Sequence, residues 1–149
     1  MRCNLVNPIC LTNQHLIAEK RELKIIPALL RKRIMSGKHS IRDIPDKFCL
    51  GVGHQKFWLN KMLYLSKRYN AIIDEMLERN FNVDSSLKFD LTYACPFNMD
   101  NDWKPTIDDY NLIVSRLREK LLLKLGWYRY FGQSINREWI ESMYPITYY

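Results

Sequence analysis

The chain is 149 residues long, 47% apolar and 26% charged, which excludes a disordered tail and allows one domain with a real core. No apolar run reaches the roughly 18 residues that a membrane span needs, so no membrane partner is expected. The net charge of +7 points instead toward a polyanion such as nucleic acid, although a solvated basic surface gives the same balance.

The chain opens with "MRCNLVNPICL". This stretch lacks the apolar run and small-residue cleavage site of a secretory signal, so an intracellular protein is expected, in the cytoplasm or nucleus of a host cell. Cys3, Cys10, Cys49 and Cys95 form no CxxC pair. Cys3, Cys10 and His15 fit no standard zinc spacing, so reduced thiols and no metal are expected.

Three long helical patterns follow. The first runs from about Asn13 to Met35, with Thr12 or Asn13 as its cap and Leu16, Leu23, Ile26, Leu30 and Ile34 toward the core. Pro27 predicts a kink or break within it, and Ser36-Gly37 ends it. The second runs from about Phe57 to Arg79, with Trp58, Met62, Leu65, Tyr69, Ile72, Ile73, Met76 and Leu77 on its apolar side and Asn80 as a left-handed cap. The third runs from Thr106 to Leu125. Thr106 and Asp109 have capping-box spacing, Ile113, Val114, Leu117, Leu121 and Leu125 form the stripe, and Gly126 stops it. Residues 37–56 and 81–105 read as loops, and no alternating strand pattern stands out. Trp139, Ile140 and Met143 suggest a short last helix ended by Pro145. The expected fold class is all-α, with three main helices and long connecting loops.

Charge is uneven along this frame. Residues 1–38 set Arg2, Lys20, Arg21, Lys24, Arg31, Lys32, Arg33 and Lys38 against Glu19 and Glu22. On a helical wheel His15, Glu19, Glu22 and Arg33 lie along one flank of the first apolar stripe, while Gln14, Arg21 and Lys32 share a more open face. Periodicity alone makes Glu22 a carboxylate bridging to a neighbouring helix. The segment "WYRYFG" surrounds one arginine with aromatics. It suits either packing on the core or stacking against bases. There is no Walker loop, GxSxG, HExxH or paired-Asp cluster, which disfavours a metal-dependent nuclease.

Six blocks, "NLV", "QHLIAEKREL", "LGVGH", "LERNFN", "RLREK" and "WYRYFG", occur in the order and spacing of one family. The sequence resembles the pyrimidine-dimer DNA glycosylase/AP lyases, of the phage endonuclease V type with algal-virus relatives, over roughly residues 1–132. The resemblance implies a single all-α domain over 1–132, with 133–149 packed on it or trailing from it. It further implies a monomer, without cofactor or metal, acting on double-stranded DNA that carries pyrimidine dimers or abasic sites.

In this family the α-amine of the mature chain attacks C1′ of the dimer's 5′ nucleotide, and a first-helix glutamate assists. That glutamate matches Glu22. Family members typically begin Met-Thr-Arg and lose the methionine, whereas this chain begins Met-Arg-Cys. Arg2 then aligns with the family arginine, and a large second residue opposes methionine removal, so the α-amine of Met1 is the expected nucleophile. The resemblance assigns DNA contacts to Arg2, Gln14, His15 and Arg21, to Arg116 and Lys120 in "RLREK", and to Trp127, Tyr128, Arg129 and Tyr130 in "WYRYFG". A further family arginine falls at Ile25 here, with Lys24 beside it as a substitute. A basic helical DNA-binding protein that keeps the fold without the chemistry is the alternative.

Overall fold

The structure, a computed structural model, describes residues 3–37, 42–51, 53–84 and 99–145. Among them the architecture is all-α apart from one short hairpin. None of the described helices is long and apolar enough to cross a membrane.

The first long pattern is two helices, α1 (Asn13–Leu23) and α2 (Ile25–Met35), parted at Lys24. The break therefore falls three residues before Pro27. Proline has no N–H for the Leu23 carbonyl and its ring crowds that carbonyl, so the ladder stops there. Pro27 then occupies the first turn of α2, where its missing N–H is not needed.

The second pattern also begins differently from expectation. A short α3 (His54–Phe57) passes into a 3₁₀ turn, Trp58–Asn60, before α4 (Met62–Glu78). Lys61 interrupts the run with an extended φ of −126°. Its backbone bridges to Asp100, and its ammonium donates to the Phe57 carbonyl at 2.9 Å and Asn60 Oδ1 at 2.8 Å. Tertiary pairing overrides local propensity at this residue. The C-terminal end of α4 follows its local code. Asn80 sits at φ 59°, and the N–H groups of Asn80 and Phe81 return to Leu77 and Met76, the pattern of a left-handed cap.

The third pattern is α5 (Ile107–Leu123). Thr106 and Asp109 form the expected reciprocal box, with Asp109 N–H donating to Thr106 Oγ1 at 3.2 Å and Thr106 N–H to Asp109 Oδ2 at 2.9 Å. The helix ends two residues short of Leu125, which is exposed. A hairpin of β1 (Arg129–Tyr130) and β2 (Gln133–Ser134) comes next. Its two-residue turn, Phe131-Gly132, has φ values of 48° and 80°, as a primed turn requires. Two-residue strands are too short to leave an alternating pattern. The chain then forms α6 (Arg137–Met143), capped by the Asn136 side chain on the Trp139 N–H.

The chain divides into two compact units, residues 1–3 with 19–104 and residues 4–18 with 105–149. In the first, Leu23, Ile26 and Leu30 of α1 and α2 are buried, as are Met62, Leu65, Tyr69, Ile72, Ile73 and Met76 of α4. Leu77 was expected on that stripe but is exposed, and Ile34 is only half-buried. Phe48, His54, Phe57, Trp58, Tyr64 and Trp103 form one aromatic cluster. His54 is a structural histidine there: Nδ1 meets the Cys49 carbonyl at 2.6 Å, and Nε2 accepts from Trp58 Nε1. In the second unit the buried set includes Val6, Leu11, Leu16, Ile113, Leu117, Leu121, Tyr128, Ile135, Ile140 and Tyr144.

Candidate functional site

In the second unit, Gln14 and His15 on the first turn of α1 meet the aromatic segment. Gln14 uses both ends of its amide on backbone, donating to the Trp127 carbonyl at 2.8 Å and accepting from the Arg129 N–H at 2.9 Å. His15 is only 5% exposed. Its Nδ1 lies 2.8 Å from Thr12 Oγ1, and its ring stacks on Tyr128 with centroids 5.0 Å apart. Both residues thus support the segment. Gln14 does so by covering the outward N–H and C=O of β1, and His15 by stacking on the buried Tyr128.

What this support holds out to solvent is different. Trp127 is 57% exposed, with the Lys124 ammonium 5.6 Å from its ring centroid. Arg129 is exposed, and Tyr130 is half-buried against Trp139 at 4.9 Å. Phe131, at the turn, is 55% exposed and was not among the expected site residues. A bulky residue rarely takes φ above zero, and Gly132 behind it was the sequence signal of the turn. Arg116 and Lys120 lie four residues apart on α5, both half-buried, so they share one helix face.

In the first unit, α1 carries Arg21 and Glu22 in its last turn. Arg21 is exposed and Glu22 half-buried. Lys24, at the helix break, places its ammonium 5.5 Å from the Tyr69 ring centroid on α4. Glu19, one turn before Glu22, bridges to a neighbouring helix. Glu19 is fully buried, and Arg68 of α4, 8% exposed, reaches it through Nε at 2.7 Å and Nη2 at 3.3 Å. Burial opposes the guanidinium charge, but the Glu19 carboxylate outweighs it and leaves Arg68 above its ordinary range. The buried Cys3 thiol is pushed well up, chiefly by burial and then by Glu19, with Arg68 opposing. Tyr64, one turn before Arg68, is likewise raised, mainly by burial. Sequence reasoning missed the Glu19–Arg68 pair because its partners are 49 residues apart. Met1 and Arg2, the expected nucleophile and its neighbour, lie outside the described residues.

A basic helical chain that presents arginine among exposed aromatic rings falls in the class of nucleic-acid-handling proteins. More particularly, a family model described as pyrimidine dimer DNA glycosylase matches residues 1–89, more than half of the 149 residues. The chain belongs to that family, whose members are DNA repair glycosylases acting on damaged DNA. The matched stretch contains α1, the helix break and α4, and so contains Glu22, Glu19 and Arg68. Arg116, Lys120 and the aromatic segment lie beyond it.

Proposed function

We propose that the protein excises UV-induced pyrimidine dimers and then cleaves the abasic site through an imine to its own α-amine. Glu22 carries the reading. It is a half-buried carboxylate in the last turn of α1, inside the family-matched stretch, at the position the resemblance gives to the assisting glutamate.

An α-amine has a pKa of about 7.7–8.0 against about 10.4 for a lysine, so its neutral fraction at neutral pH is greater by roughly two orders of magnitude. The proposed amine is that of Met1. It forms an N–C1′ bond as the glycosidic bond breaks, and the pyrimidine leaves with the electron pair. Glu22 as a carboxylate stabilises the positive charge that develops on the sugar. Ring opening then breaks C1′–O4′, O4′ takes a proton, and the imine forms. Removal of a C2′ proton expels the 3′ phosphate oxygen by β-elimination, with Glu22 as the proton relay. Water finally hydrolyses the imine and returns the amine.

Binding is proposed for Arg2, Arg21, Lys24, Arg116, Lys120 and Arg129 on the phosphates, and for Trp127 and Tyr130 by stacking. Gln14, His15 and Tyr128 act in this proposal by supporting the aromatic segment.

Borohydride trapping tests the reaction. Wild-type protein in chelator-treated buffer should form a covalent adduct with duplex DNA carrying a dimer or an abasic site. Binding without trapping on either substrate would favour a non-catalytic DNA-binding protein. Intact-mass measurement of the active protein checks the nucleophile, and loss of Met1 would refute its assignment. Glu22→Gln should abolish dimer cleavage and leave DNA binding in place; unchanged turnover would refute the role given to Glu22.

A further inference from the structure

The Glu19–Arg68 pair needs an explanation that stability does not supply. Taking two charges out of water is expensive, and well-packed apolar residues of similar volume often do as well or better in such a place. Its position is informative. Glu19 lies one turn before Glu22, on the same flank of α1. After Glu22 the hydrogen-bond ladder is interrupted at Lys24, because Pro27 offers the Leu23 carbonyl no N–H. This last turn is tethered on both sides to adjacent residues of α4: Glu19 to Arg68 by two hydrogen bonds, and Lys24 to the ring of Tyr69. Leu23, between them, is fully buried. Cys3, 2% exposed, feels both charges.

We infer that the buried Glu19–Arg68 pair is a positioning element, which fixes the last turn of α1, and with it the Glu22 carboxylate, against α4. This rests on the proposed function. A two-pronged Arg–carboxylate bond sets direction as well as distance. An apolar contact of the same volume would let α1 rotate or slide by about an ångström. A misplacement of about 1 Å at a reacting group can cost about a hundredfold in rate. Neither Glu19 nor Arg68 touches substrate in this account; they act through Glu22.

The test uses the full chain, one duplex with a single cyclobutane dimer for rate, and one with an uncleavable tetrahydrofuran abasic analogue for affinity. Wild-type protein is first trapped with borohydride; absence of an adduct overturns the proposed function and this inference together. Two variants then address the pair alone. Glu19→Leu/Arg68→Met replaces it with apolar groups, and Arg68→Lys keeps the charge but loses the paired geometry. Both should fold and bind the analogue with wild-type affinity. Single-turnover excision should fall about a hundredfold in the double variant and about tenfold in Arg68→Lys. Excision at the wild-type rate in either folded variant overturns the inference. So does a loss of affinity as large as the loss of rate, the mark of a generally loosened fold. If the double variant does not fold, Arg68→Lys decides the matter by the same two measurements.

Discussion

Removing one partner of a buried pair differs from removing both, and Arg68→Met makes the difference measurable. Glu19 has no exposed surface, and Arg68 Nε and Nη2 both donate to its carboxylate. Deleting the guanidinium removes these two donors from a carboxylate held away from water, which costs about 3–5 kcal/mol. Unfolding entropy near 60 °C is about 2.1 cal/mol/K per residue, roughly 0.3 kcal/mol/K for a chain this long, so the melting temperature should fall by about 10–16 °C. The assay is a pair of circular-dichroism melts at neutral pH. A loss below about 1 kcal/mol, the range of exposed pairs, would refute the reasoning.

Other expectations follow from separate parts of the molecule. Thr106→Ala removes one half of the box at the start of α5 and should cost about 1 kcal/mol in denaturant unfolding, with Thr106→Ser restoring most of it. Burial lowers the Lys61 ammonium to about 8, with Asp46 opposing. The unfolded chain then holds more protons than the folded one between about pH 8 and pH 10.4, so stability should rise across that window, and Lys61→Met should flatten the rise in pH-dependent melts. Trp127→Ala removes an exposed ring and should weaken binding to dimer-containing duplex about tenfold with an unchanged melting temperature. Equal affinities would count against a stacking role for that ring.

The sequence was most legible where structure is decided locally. The Thr106 box and the left-handed Asn80 each depend on a few neighbouring residues, and each could be read in advance. The break before α2 was readable in kind but misplaced, because a proline disturbs the carbonyl four residues upstream more than its own position. Lys61 could not be read, since its conformation is set by Asp100 and by the Phe57 carbonyl. The same contrast holds at the site. Periodicity put Glu19 and Glu22 on one flank and made Glu22 the helix-bridging carboxylate. The position of Arg68, 49 residues further on, shows Glu19 in such a bridge. Gln14 and His15 were matched as DNA contacts by position in "QHLIAEKREL", yet one amide is engaged at both ends and one ring is buried. Nothing in α1 itself reveals this, because the backbone groups that hold Gln14 and the Tyr128 ring that covers His15 lie more than 110 residues away.

The amide of Gln14 has one more consequence. A hairpin this short has an outer rim of unpaired main-chain groups, and such rims invite a second molecule to add a strand. The Trp127 carbonyl just before β1 and the Arg129 N–H within it lie on that rim, and the Gln14 side chain occupies both. For these two groups one helical side chain thus serves as a surrogate third strand, and leaves that stretch of backbone less open to a second molecule.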